Sequence, residues 1–173
     1  MPIIKSKKFI LRPFKKGDEE LIVRHINDKI IARNTLEIRY PYSLKLAKEW
    51  VAKNLEWQKN KDKENLVFVI EIEGEFSGAI SLHHIQKEHK AVIGYWLGRK
   101  FWGQGIMTEA VKLITKYGFE KLKLHRIYGY VFLFNEPSKK VLEKAGYKLE
   151  GILKKEAKKG NKYIDAYLLA KIR

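Results

Sequence analysis

Between Gly94 and Ala110 the chain reads GYWLGRKFWGQGIMTEA, an alternating segment that enters a glycine-containing loop and leaves it directly into a long amphipathic run. A helix that starts this way presents unpaired backbone N–H groups and a partial positive charge, so the junction favours a phosphate. Gly103 and Gly105 carry no side chain to keep phosphate oxygens from the amides of Gly103, Gln104, Gly105 and Ile106. A plain turn with a helix cap is the competing reading of two loop glycines. Other phosphate motifs fit worse, since the third glycine of a Rossmann turn is missing and no Gly-Lys-Ser/Thr follows. NAD and ATP are disfavoured accordingly.

The flanking sequence predicts an α+β chain organised as one domain over residues 1–173. Phe9 to Phe14 suits a short first strand at a sheet edge, closed by Pro13. A helix follows from Asp18, with Leu21, Ile22, His25 and Ile26 on one side and acidic residues in its first turn. Ile30 to Tyr42 is less regular. Ser43 can cap a second helix whose Ala47, Trp50, Val51 and Leu55 share a face, leaving Lys45, Lys48, Lys53 and Glu56 wet. Leu66–Ile72, Phe76–Ile85 and Ala91–Leu97 read as an antiparallel meander, the first turn passing through Glu73 and Gly74. Ile106–Phe119 is a helix, Arg126–Leu133 a strand, and Pro137–Ala145 a short helix closed by Gly146. Tyr147–Leu153 and Tyr163–Ala170 finish the chain as strands.

Hydrophobic residues make up 45% and charged residues 32% of the chain, the balance of an ordinary folded domain. No stretch approaches the roughly 20 apolar residues that span a bilayer, and Met1–Phe9 lacks a signal-peptide pattern, so a cytoplasmic location without a membrane role is expected. The absence of cysteine removes disulfides, thiolate nucleophiles and thiolate metal sites. The net charge of +16 attracts polyanions, including ribosomal RNA and phosphorylated cofactors. Because lysines are spread from end to end, a merely solvated surface explains that charge equally well. High Lys, Glu and Ile content would also suit a hyperthermophile.

Lys100, Gly103 and Gly105 match the spacing Q/R-x-x-G-x-G/A, and the segment resembles the central motif of the Gcn5-related N-acetyltransferase (GNAT) superfamily. Lys100 departs from it by replacing a planar side chain. The wider segment, with NEPSKKVLEKAGYKLEG from Asn135 to Gly151, is similar to the branch that acetylates the N-termini of ribosomal proteins. The resemblance implies a twisted, mostly antiparallel mixed sheet flanked by helices and splayed open at the cofactor. It implies acetyl-CoA as cosubstrate, without a metal, and direct attack by an amine. Trp96, Leu97, Lys100, Phe101, Trp102, Gly103, Gln104, Gly105, Ile106 and Met107 would contact the cofactor, together with Asn135 and Ser138.

Ser138 would protonate the departing thiolate, and Asn135 would hold the pantetheine. As bland alternatives, Asn135 is a helix N-cap, Ser138 a first-turn hydroxyl, and Tyr95 and Trp96 are core aromatics. Glu71 and His83 are the candidate bases. His83 and His84 are neighbours on one strand, so one is expected to face each way. Glu109 is read as compensation of the helix dipole.

An α-amino group with a pKa of about 7.7–8.0 is roughly a tenth neutral at pH 7, whereas a lysine near ~10.4 is almost wholly charged. Without a strong base in view, a protein N-terminus is the expected acceptor, such as that of a ribosomal protein. A small amine such as a polyamine or aminoglycoside is the alternative, and a silent CoA- or RNA-binding member a third. Monomer and homodimer both remain open.

Overall fold

The computed structural model describes residues 1–60 and 64–173. Its strands are β1 (Ile4–Lys5), β2 (Ile10–Arg12), β3 (Leu66–Ile72), β4 (Glu75–Gln86), β5 (Lys90–Leu97), β6 (Arg126–Phe132), β7 (Lys148–Lys159) and β8 (Lys162–Ile172). Its helices are α1 (Asp18–Ile26), α2 (Lys29–Asn34), α3 (Leu44–Lys59), α4 (Ile106–Lys121) and α5 (Glu136–Lys144). The strands form one sheet in the order β1-β2-β3-β4-β5-β6-β8-β7, antiparallel except where β5 meets β6.

The sheet buries both faces, and the two cores follow the period-2 alternation of the strands. On one face α4 sets Ile106, Met107, Ala110, Val111 and Ile114 against Phe68, Ile80, Leu82, Ile93 and Ile127. On the other, Ile22 and Ile26 of α1 and Ala47 and Val51 of α3 cover Val67, Val69, Phe76 and Trp96. Each large aliphatic or aromatic side chain so buried contributes about 1.5–3 kcal/mol. These two layers enclose β4 and β5 between them.

Local signals place most boundaries. Ser43 caps α3 through its hydroxyl, and Asn135 caps α5 by accepting from the Ser138 amide. Three expectations are corrected. The strand after Phe9 is not at the edge, because Ile4–Lys5 doubles back along it, pinned by the Ser6 amide on the Phe9 carbonyl at 2.9 Å. The irregular stretch after Ile30 contains α2, whose start is capped by Asp28 accepting from the Ile30 and Ile31 amides at 2.7 and 3.2 Å. The last hairpin runs on to Lys159 and Lys162, since Ala157↔Ile164 and Lys158↔Tyr163 continue the ladder through lysine-rich arms that carry little hydrophobic alternation.

The feature that makes a site is the junction of β5 and β6. They pair in parallel only at Lys90–Val92 with Arg126–Tyr128. Beyond it β5 stays on β4 as far as Leu97, and β6 stays on β8 as far as Phe132. The sheet therefore forks, and the facing strand edges are left open to a ligand that can pair with backbone.

Candidate active site

The fork opens into a cavity of about 1420 Å³, larger than the ~300–1,000 Å³ of a usual small-molecule pocket. One wall comprises Leu97, Phe101, Trp102, Gly103, Gly105, Ile106 and Met107, with Asn135, Ser138 and Val141 opposite. The other wall comprises Ile31, Tyr42, Trp50 and Trp57 from the helical side, with Val67, Ala79, Ser81 and His83 from the sheet. The volume suits a long cofactor meeting a second substrate.

The first of these walls has the build of an anion cradle. Gly103 and Gly105 both take a φ of 76°, a region that costs an L side chain about 1–2 kcal/mol. Gly105 is the N-cap of α4 and supplies no side-chain cap, so the first-turn amides of that 16-residue helix keep their donors for a phosphate. Lys112, Lys140 and Lys144 add positive charge along the same cavity. Lys100 contributes differently from a planar Gln or Arg. Its ammonium is paired with Glu75 at 2.8 Å and lies over the Phe101 ring at 4.7 Å, outside the cavity lining. Gln104 likewise turns its amide to the Lys100 carbonyl at 3.0 Å, leaving its backbone as its contribution.

Across the fork, the Tyr95 hydroxyl lies 2.8 Å from Ser138 Oγ and 3.2 Å from the Ser138 carbonyl. When the phenol donates to Oγ, the Ser138 proton is free to be given to another atom. Burial raises the Tyr95 pKa, with the Ser138 contact opposing it, so the phenol stays a neutral donor. Asn135 occupies its N-cap position, Oδ1 accepting from the Ser138 amide at 3.4 Å, and also lines the cavity. Leu97 offers its carbonyl to the Trp102 indole at 2.7 Å. Trp96 stacks on Phe76 at 5.9 Å and 24° in the opposite core, as well as lining the cavity.

The two base candidates separate. His83 lines the cavity, with Nε2 2.6 Å from Ser81 Oγ and Nδ1 3.0 Å from Asn65 Oδ1. Burial, the largest influence, lowers its pKa below the ordinary 6.5, with Glu37 opposing and His84 and Lys53 reinforcing. His84 sits exposed at the rim, at a φ of 49°. Glu71 lies outside the lining, and its carboxylate accepts from Arg12 Nε at 2.5 Å while Arg12 also grips Asp18. Glu71 is thus engaged in an ion pair away from the cavity, which removes it as a candidate base.

Sequence reasoning did not single out Asn65, Ser81, Glu37 or Glu156, all of which line the cavity. Ser81 and His83 stand two apart on one strand and so share a face, a signal that could have paired them. Asn65 precedes β3, and nothing local marks it.

The family model for the acetyltransferase (GNAT) domain matches residues 8–148. The chain belongs to the GNAT acetyltransferase family. It is 45% identical over 95 residues to Probable N-acetyltransferase YjcK of Bacillus subtilis (strain 168), an alignment covering 54% of this chain and about half (52%) of that one. It is 29% identical over 157 residues to the spermidine N(1)-acetyltransferase of Escherichia coli (strain K12), covering 90% of this chain and 80% of the relative. The crystal structure of a ribosomal-protein-S5-alanine acetyltransferase from Vibrio fischeri superposes with a TM-score of 0.87 at 25% identity, over 99% of this chain and 97% of that one. This GNAT protein is thus an N-acetyltransferase that takes its acetyl group from acetyl-CoA, and the forked sheet is the fold of its family. No helix among the described residues is long and apolar enough to cross a membrane.

Proposed function

We propose that this GNAT enzyme acetylates the α-amino group at the N-terminus of a protein, by direct attack of the neutral amine on the thioester carbonyl. The observation that carries this reading is the imidazole of His83 in the lining it shares with Gly103 and Gly105, held by Ser81 and Asn65 and kept below its ordinary pKa chiefly by burial. A base that weak suits an amine of pKa about 7.7–8.0 and is poorly matched to one near ~10.4. The likeness to the S5-alanine acetyltransferase points the same way, and the +16 charge favours approach to ribosomal RNA.

In this mechanism the backbone N–H groups at the α4 N-terminus, with Lys112, Lys140 and Lys144, hold the cofactor's phosphates. The open edge of β5 through Trp96 and Leu97, with Asn135, aligns the pantetheine arm. The amine forms its C–N bond as the C–S bond breaks, His83 takes up the proton lost by nitrogen, and Ser138 gives its proton to the leaving sulfur.

A second reading has its own observation. Glu37 and Glu156 line the cavity, carboxylates that could each hold an ammonium of a polyamine despite the net charge, although Lys53 lies in the same lining. Thiol release from acetyl-CoA, measured with Ala- and Ser-initiated peptides and with spermidine, decides between them. Peptide turnover at least tenfold above spermidine in kcat/KM is expected. Turnover of spermidine alone would overturn the N-terminal reading.

A further inference from the structure

Ser81, His83, Asn65 and the Gly94 carbonyl form a continuous hydrogen-bonded chain in the cavity wall. His83 Nε2 is 2.6 Å from Ser81 Oγ, His83 Nδ1 is 3.0 Å from Asn65 Oδ1, and Ser81 Oγ is 3.0 Å from the Gly94 oxygen. Both ring nitrogens are therefore engaged with protein, so a proton reaching Nε2 passes through the Ser81 hydroxyl. Ser81, though only 5% exposed, lines the cavity beside His83, and its hydroxyl oxygen keeps a lone pair for an amine N–H.

We propose that Ser81 is the proton-transferring residue of the acetyl transfer, passing the acceptor amine's proton to His83, with Asn65 as the positioning residue that sets the imidazole tautomer. This rests on the reading of His83 as the base, and is independent of which amine is acetylated.

The proton inventory supports it. With His83 neutral and Nδ1–H donating to Asn65, the Ser81 hydroxyl donates to Nε2, and its one hydrogen cannot also serve the Gly94 carbonyl. When the amine nitrogen bonds to the acetyl carbon, its proton moves to Ser81 Oγ as the Ser81 proton moves to Nε2. The imidazolium then donates to both Asn65 and Ser81, and the new Ser81 O–H donates to Gly94. Every contact in the chain now has a hydrogen, so the charged state is the better bonded one although burial disfavours it. After product leaves, the imidazolium returns its proton to water through the same hydroxyl.

Gly94 keeps this chain open. A Cβ there would sit 3.3 Å from Ser81 Oγ and 3.7 Å from His83 Nε2, tight enough to press on the pair. The charged and titratable groups facing the imidazole are Glu37 from the segment after α2, Lys53 from α3 and His84 from β4 itself. Asn65 is neutral, so the pKa of the relay can be moved by changing that one atom pair.

The test is the pH dependence of kcat in the full chain, with an Ala-initiated peptide and with spermidine in parallel, and CoA affinity by calorimetry as the control for folding. Wild-type kcat should fall as pH drops through a pKa below the ordinary 6.5, because His83 must be neutral to accept the proton. Asn65→Asp places a carboxylate beside Nδ1–H and should move that acid limb upward by about one pH unit or more. His83→Gln should abolish the limb and lower kcat by about 10²–10⁴-fold. Ser81→Ala should cost a comparable factor, with Ser81→Thr restoring much of it, while the His83 imidazole still titrates by NMR. A Ser81→Ala enzyme with wild-type kcat, or an acid limb that stays put while NMR shows the Asn65→Asp imidazole pKa raised, overturns the relay. Turnover of spermidine alone, with a limb that follows Asn65→Asp, overturns the N-terminal reading and upholds the relay.

Discussion

Arg12→Ala is expected to lower the stability of this protein by about 3–5 kcal/mol, the cost of leaving a buried charge without its partner. Asp18 is fully buried, at 0% exposure, and Arg12 is 6% exposed. The guanidinium meets both Asp18 oxygens, at 2.7 and 2.9 Å, and its Nε serves Glu71 at 2.5 Å. Asp18 also accepts from the Lys15 amide at 2.9 Å, so this cluster fixes the entry to α1. For a chain of this size each kcal/mol moves Tm by about 2–4 °C, so thermal denaturation should show a fall of roughly 10 °C. The paired change Arg12→Met with Asp18→Leu should recover most of that loss, since the penalty is the orphaned carboxylate rather than the missing attraction. Glu71→Gln should lower Tm more mildly and leave the acid limb of kcat where it was. A loss under 1 kcal/mol for Arg12→Ala would mean that water reaches Asp18.

Ser138→Ala should lower kcat by about 10²-fold, the low end of what a positioned proton donor contributes, while CoA affinity stays nearly unchanged. In the proposed mechanism the hydroxyl matters only as sulfur gathers charge, so its loss should fall on kcat rather than on binding. Tyr95 touches the proposed donor hydroxyl only through the 2.8 Å contact with Ser138 Oγ, so Tyr95→Phe should cost about tenfold alone and nothing further in the Ser138→Ala background. Additive losses would separate the two residues, and an unchanged kcat for Ser138→Ala across pH would remove it from the reaction.

Most of the fold was legible because its signals are local. Ser43 and Asn135 announce helix starts, apolar runs separated by turn residues outline β3, β4 and β5, and the glycines before Ile106 mark the phosphate-suited junction. What was missed fails the same criterion. β1 is two residues long, α2 rests on one Asp28 cap, and the extended arms of the last hairpin hide their register behind lysines.

The site divides along that line. The sequence by itself determined the glycine cradle of Gly103 and Gly105 and the Asn135–Ser138 turn, since each is a run of neighbouring residues whose chemistry is set by backbone geometry. Only the tertiary structure decided that Tyr95 meets Ser138 across 43 residues and that Asn65 meets His83 across 18. It also withdrew Glu71 into an ion pair with Arg12, 59 residues away. Those encounters depend on strand order and on where β5 leaves β6, and long-range pairings of that kind are selected by the packing of the whole sheet rather than by any one segment's preferences.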